Sequence, residues 1–168
     1  DKRHFPSINW LKSYSLYLKE VKNWWNDEVG GSWLKVRNKA VSLLQQESEL
    51  QEIVKLVRPD ALPPKERVVL ESSKIIREDF LQQSAFHEID TYCPDKKQYE
   101  MLRLMLKFSD EMQKAVSENV HIDDIIEMKS HEAIARLKYI SNKEFEKRFE
   151  KIEKDFEKEI KDLISGVK

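Results

Sequence analysis

Glycine is nearly absent: 168 residues contain three glycines and five prolines. So few turn formers exclude an all-β sandwich with its many tight connections. Gly30 and Gly31 are adjacent and Gly166 lies near the end, so neither G-x-x-x-x-G-K-[ST] nor G-x-G-x-x-G can be written and no phosphate cradle is encoded. Cysteine is reduced to Cys93, which leaves no internal disulfide and agrees with a reducing compartment. There is no apolar run of about 18 residues, the length a membrane span requires. Charge of one sign is also missing. Lys plus Arg number 30 against 31 Asp plus Glu, a net charge of -1, which gives no global attraction to nucleic acid or an anionic membrane. Asp1-Lys2-Arg3-His4-Phe5-Pro6 has neither an initiator Met nor the apolar core of a secretion signal, and it reads as a continuation of something longer.

What is present is helical. The chain is 40% hydrophobic, enough for a core, and 36% charged, above the roughly 25% of an ordinary domain. Tyr14, Tyr17, Leu18, Val21, Trp24 and Trp25 recur at three- and four-residue steps and predict a first helix that Gly30-Gly31 stops. Ser32 is the expected N-cap of a second, carrying Trp33, Val36, Ala40, Leu43 and Leu44 inward. The polar run Gln45-Gln46-Glu47-Ser48-Glu49 is expected to separate it from a shorter helix with Leu50, Ile53, Val54 and Val57. Arg58-Pro59-Asp60-Ala61-Leu62-Pro63-Pro64 must turn, since proline lacks a donor and pushes the residue before it out of the α region. Pro64 suits the first turn of the next helix, which runs to about Leu81 with Val69, Ile76 and Phe80 on one side. Ser84 to Pro94 has no period and reads as a loop. Met101, Met105, Phe108, Met112 and Val116 mark a long helix. A short element over 122–128 and a helix over 133–139 follow. Ser141-Asn142-Lys143-Glu144 has the form of a capping box, and behind it come Phe145, Phe149, Ile152, Phe156, Ile160 and Leu163. The expected fold is an all-α bundle of about six helices.

Candidate chemistry is thin. His4, His87, His121 and His131 have no ligand spacing, and His131-Glu132 fails as H-E-x-x-H because position 135 is Ala, so no metal site is expected. Cys93, followed by Pro94 and with no evident base, reads as an inert loop thiol. The carboxylates of the last helix alternate with lysines and suggest a solvated face with i,i+4 pairs. A partner-binding coiled-coil face is the alternative. Trp10, Trp24, Trp25 and Trp33 read by default as core packing.

Three segments carry a resemblance. These are Lys2-Arg3-His4-Phe5-Pro6-Ser7-Ile8-Asn9-Trp10-Leu11 with Ser13-Tyr14-Ser15, then Phe80-Leu81-Gln82-Gln83-Ser84-Ala85-Phe86 continuing through Asp90-Thr91-Tyr92-Cys93-Pro94, and then Gln98-Tyr99, Met101-Leu102 and Leu104. Together they resemble the C-terminal helical domain of the catalytic A-type subunits of archaeal and vacuolar-type rotary ATPases. The likeness runs through nearly the whole chain and is weakest after Ser117. It implies that residues 1–13 are the junction from an absent nucleotide-binding domain and that residues 14–168 are the helical bundle. It implies no catalytic residue and no metal ligand here, and no cofactor in this fragment; ATP or ADP with Mg²⁺ would be held by the P-loop domain. The isolated chain is therefore expected to show no turnover.

The resemblance also implies roles. Phe5 before Pro6 would pack on adenine, Phe86 would supply a second stacking face lined by Ala85, and Tyr92 stands where the related F-type pattern has a further aromatic. Arg58, Pro59, Asp60, Ala61, Leu62, Pro63, Pro64, Lys65 and Glu66 would form the loop that bears on the central stalk. Their mixed charge favours a stiff, Pro-braced lever acting by steric contact over an acidic push. Implied partners are the nucleotide-binding domain of the same polypeptide, B subunits in an alternating hexamer, and central-stalk subunits. Nucleic acid and direct membrane insertion are not among them. The implied location is cytoplasmic, in a peripheral membrane complex that couples ATP chemistry to ion transport. The other reading is an independent helical interaction module that binds through its charged last helix.

Overall fold

The stripe of the long helix is buried throughout: Met101, Met105, Phe108, Met112 and Val116 all lie in the core. The computed structural model describes residues 11–12, 17, 24–25, 32–82, 87, 89 and 92–166. Within them the chain forms six α-helices and no strand. They are α1 (Trp33–Val54), α2 (Pro64–Ile75), α3 (Asp95–Ser117), α4 (Ile122–Ile126), α5 (Lys129–Ala135) and α6 (Phe145–Ile164). Two 3₁₀ turns, Pro59–Ala61 and Leu137–Tyr139, join them, and α2 runs on without a break as a π-helical stretch, Ile76–Leu81. The fold is all-α, as expected. No helix among the described residues is long and apolar enough to cross a membrane.

α3 is the axis. One side of it packs with Val68 and Ile75 of α2, with α4 and α5, and with Phe145, Phe149, Phe156 and Ile160 of α6. The other side, through Leu102 and Leu106, meets Ala40 and Leu44 of α1 and Ile76. Polar contacts fix the directions. Ser32 bonds Tyr99 (2.7 Å) and Lys39 pairs with Asp110, so α1 runs alongside α3 in the same sense. α2 runs the opposite way, from Lys65 beside Gln113 (3.0 Å) to Gln82 beside the 3₁₀ turn that abuts the start of α3.

α6 runs parallel to α3 at a constant offset. Lys96 pairs with Glu146 (2.5 Å), Arg103 with Glu153 (2.9 Å) and Lys107 with Glu157, each pair fifty residues apart. Glu153 also takes Lys107 (2.7 Å), and the Arg103 hydrogen bond holds its carboxyl down at about 2. Thus the charges of α6 are not only a solvated face with local pairs such as Lys154–Glu150; Glu146, Glu153 and Glu157 tie one helix to another.

Five local expectations change. Gln45 to Glu49 do not interrupt α1, because Glu47 turns inward to Arg77 and the helix continues to Val54. Ser32 occupies the N-cap position, but its hydroxyl shares a hydrogen bond with the Tyr99 hydroxyl and makes no cap bond to the helix. The capping box does not close: Ser141 Oγ accepts only from the Lys143 N–H (3.3 Å), and α6 begins at Phe145 with Glu144 as N-cap. The helix expected over 133–139 starts earlier, at Lys129, and ends in a 3₁₀ turn. Trp25 stacks on Trp33 (4.9 Å between centroids), whereas Trp24 is half exposed, against its core reading. The stop at Gly30-Gly31, the remainder of the first helix, and most of the loop from Ser84 lie outside the described residues.

Candidate functional site

The Pro-rich turn and the described flanks of the Phe80–Pro94 segment, Gln82 and Tyr92, sit at opposite ends of α3, which at 1.5 Å per residue spans about 35 Å. One end, the tip, gathers the end of α1, the Pro-rich turn and the ends of α3 and α6. The other end, the head, gathers Ser32, Gln82, Tyr92, the start of α3 and residues 138–142.

At the tip the turn is short and braced. Ala61 N–H donates to the Arg58 carbonyl (2.9 Å), closing the 3₁₀ turn, and Pro64 is the first residue of α2. Leu62 is buried and plugs the turn into the bundle. Behind it Gln113 donates to the Lys65 carbonyl, and Arg67 pairs with Asp123 at the start of α4 (2.6 Å). Arg58, Asp60, Ala61, Pro63, Pro64 and Lys65 remain exposed and Glu66 is half-buried. A second feature adjoins the turn. Ile53 and Val57, which the sequence pattern assigned to the core, are exposed, and Leu56 beside them is 87% exposed. The tip therefore presents an apolar edge beside a mixed-charge turn.

At the head two lysines are buried. Lys97 is fully enclosed and its ammonium donates to the carbonyls of Lys138 (3.1 Å) and Ile140 (2.6 Å) and to Asn142 Oδ1 (3.1 Å). Lys138 in turn donates to the carbonyls of Glu78 (3.0 Å) and Gln82 (3.1 Å) at the end of the π-helical stretch. Carbonyls at a helix end run short of intrahelical donors, so an ammonium there satisfies them and meets the negative end of the helix dipole. Tyr139 lies with its ring centroid 5.4 Å from that ammonium, and its other neighbour is the His87 ring at 4.8 Å.

Asp79, on the same π-helical stretch, is half-buried, and desolvation pushes its carboxyl up to about 6, against the pull of Lys138. Glu78 adds to the rise, while Lys74 and His131 oppose it. The folded protein thus holds this proton more tightly than the unfolded chain, whose aspartates titrate near 3.9. Stability contributed by the protonated form is present below about pH 4 and is lost as pH rises through about 6. Asp79→Asn should therefore stabilise the chain at pH 7.5 by about 1 kcal/mol, after allowing for solvent screening of a half-exposed group. Near pH 4 the difference should vanish. Urea midpoints of both proteins at the two pH values check this; equal midpoints at pH 7.5 would contradict it.

Of the residues expected to face adenine, Phe5, Ala85 and Phe86 lie outside the described residues. Tyr92 is 80% exposed at the head, where its carbonyl accepts from Asn142 (2.9 Å). It does not line the groove of about 740 Å³ that lies between α5 and α6 with Tyr139, Ile140 and Ile152 in its wall. Cys93 is half-buried, and among the described residues no three His, Cys, Asp or Glu side chains converge. The sequence reading missed Lys97, Lys138 and Asp79. For Lys97 a signal existed: it stands four residues before Met101, in phase with the apolar stripe of α3.

Comparison with known proteins is specific. Residues 22–126 match the family described as the C-terminal domain of V and A type ATP synthase. The A-subunit polypeptide of the A-type ATP synthase from Methanopyrus kandleri is 52% identical over 164 residues, 98% of this chain and 28% of that protein. Its counterpart in the A-type ATP synthase of Methanosphaera stadtmanae is 50% identical over 95% of this chain and 27% of its own length. The V-type ATP synthase alpha chain 1 of Clostridium tetani is 49% identical over 98% of this chain and 28% of its own length. The chain thus spans little more than a quarter of each of these relatives.

Proposed function

Because the chain belongs to the family of C-terminal domains of V and A type ATP synthases, we propose that it links a nucleotide-facing head to a stalk-facing tip in the catalytic subunit of a rotary ATPase or ATP synthase. One observation carries the reading. Gln82 and Tyr92, which in sequence flank the stretch expected to stack on adenine, lie at the opposite end of the bundle from the Pro-braced turn, and the long helices run unbroken between them. Two parallel helices tied at three levels cannot slide past each other piecemeal, so a displacement at the head reaches the tip as a tilt of the whole unit.

In this scheme the chain contributes stacking and leverage. Phe5 and Phe86 give aromatic faces to the base, with Ala85 as lining and Tyr92 at the rim. Phosphates, Mg²⁺ and the chemistry belong to the P-loop domain, since glycine here is too scarce for a cradle. B subunits, the central stalk and a membrane-peripheral location complete the proposal. At the tip, the turn of Pro59, Pro63 and Pro64 bears on the stalk by contact, and the exposed Leu56 and Val57 beside it favour contact over charge. An independent module that docks through α6 is less well supported, because Phe145, Phe149, Phe156 and Ile160 are buried within the chain.

The test uses the assembled complex with two variants. Phe86→Ala should weaken ATP affinity by roughly 1–3 kcal/mol, the value of one base–aromatic stack, with less effect on the chemical step. Pro63→Gly with Pro64→Gly should leave the bundle folded but lower rotor-coupled hydrolysis and torque, because slack enters the lever. Neutralising Asp60 and Glu66 should matter less. Unchanged affinity with reduced melting temperature for Phe86→Ala would make that ring a packing residue. Torque lost from the charge change alone would replace the steric lever with an electrostatic one.

A further inference from the structure

α6 carries two rows of charge, and only one of them is fully used inside the chain. Glu146, Glu150, Glu153 and Glu157, spaced 4, 3, 4, are each bound to a cation: to Lys96, Arg103 and Lys107 of α3 and, for Glu150, to Lys154 of the same helix. Lys147, Lys151, Lys154, Lys158 and Lys161, spaced 4, 3, 4, 3, form the second row. All five are exposed. Residues three and four apart share one side of a helix, so these lysines stand in single file over about 21 Å. Lys154 has Glu150, and the other four make no ion pair among the described residues. We propose that this row is a docking surface for a helix of another protein chain that carries carboxylates at the same spacing.

The row does nothing for the stability of α6 itself. Like charges three and four residues apart destabilise a helix, and Lys147, in the first turn, meets the positive end of the helix dipole. Mixed signs would serve solubility as well. The chain itself shows what such a row does: the glutamates, at the same spacing, align α6 with the cations of α3 at one constant offset. The lysine row is the counterpart without a partner. Its width selects the class of partner. Glu150 borders it on one side and Asp155 and Asp162 on the other, so the positive band is about one helix wide. An anionic bilayer presents charge across a plane and would press on those carboxylates as well. A nucleic acid would find no overall positive field in a chain of net charge -1. A helix with a single row of carboxylates meets only the lysines. The strict alternation of 4 and 3 is also the period of helices that wrap around each other at about 20°, so two such rows stay in register along their length. The apolar seam of α6 takes no part, and nothing in this docking depends on the adenine or stalk roles.

The experiment uses the full-length protein and a synthetic helical peptide whose glutamates repeat the lysine spacing on one face. An isomer of identical composition, with its glutamates spread around the helix, is the control. Binding is followed at low ionic strength, where exposed charges are least screened. The row-matched peptide should bind more tightly than its isomer. Lys147→Gln, Lys151→Gln, Lys158→Gln and Lys161→Gln together should weaken it roughly tenfold, the combined scale of several exposed ion pairs. Arginine at the same four positions should keep the binding. Circular dichroism checks that the variants remain helical; should the fourfold variant not, Lys151→Gln with Lys158→Gln is read by the same criteria. Equal binding of the two peptides, or no binding of either, would overturn the proposal. So would a loss no larger than that from Lys129→Gln with Lys143→Gln, two exposed lysines outside the row. Tighter binding of an oligo-dT strand, or of vesicles rich in phosphatidylserine, would also overturn it and make the row a general polyanion surface.

Discussion

Phe156→Ala should lower the stability of the chain by about 3–5 kcal/mol, the usual loss for a buried phenylalanine. Phe156 is fully buried, and its ring meets that of Phe108 edge-on at 5.4 Å between centroids, at the centre of the α3–α6 contact. Both rings belong to the one cluster that also takes in α2, α4 and α5, so a cavity there is bordered by every element on that side of the axis. Against a total of about 5–15 kcal/mol for a domain, that is a large share. For a chain of this length it corresponds to a fall in melting temperature of roughly 10 °C. Thermal unfolding followed by circular dichroism measures it, with Phe156→Leu, which keeps most of the volume, as the milder companion. A shift of only a degree or two would mean that α6 is not seated on α3 as described.

The second large effect is expected from a charged residue. Lys97→Met should cost about 3 kcal/mol although methionine matches the stem in size and is more apolar, because buried acceptors are left without their donor. The acceptors are the carbonyls of Lys138 and Ile140 and the Asn142 side chain. Part of the loss is returned by no longer burying an ammonium, which is why the figure falls below the sum for three abandoned acceptors. Urea unfolding of the two proteins decides the matter. A neutral or stabilising result would show that water reaches those carbonyls and that Lys97 is a dispensable cap.

Much of the bundle was legible because its strongest signal is periodicity. The stripe from Met101 to Val116 and the one from Phe145 to Leu163 each face the core, and Pro64 opens α2 as its chemistry requires. Periodicity is blind to a polar residue with an inward partner. Glu47 therefore read as part of a break, when in fact it is neutralised by Arg77 and the helix runs through it. Serines were misread for the same reason. A cap is a local rule, and Ser32 has a better partner in Tyr99, sixty-seven residues away. The π-helical stretch after Ile75 leaves no trace in composition, since its six residues have the same pattern as an ordinary helix. For the candidate site, the proline turn was legible as a turn, but the exposure of Ile53 and Val57 was not, because an apolar residue at helical spacing reads as core unless something fails to cover it.

The parallel alignment of α3 and α6 also bears on how the molecule assembles itself. α1, α2 and α3 follow one another up and down, joined through residues 55–63 and 82–94, and such neighbours meet early because little chain entropy is spent in closing them. Parallel partners have no such short cut: residues 118–144 must travel back along the bundle before α6 can start beside the beginning of α3. Contacts fifty residues apart are slow to form, so α6 is expected to dock last, onto a nucleus already made by its predecessors. Substitutions on α6, Phe156→Ala among them, would then speed unfolding far more than they slow folding; a folding rate that fell in step with stability would instead put α6 in the nucleus.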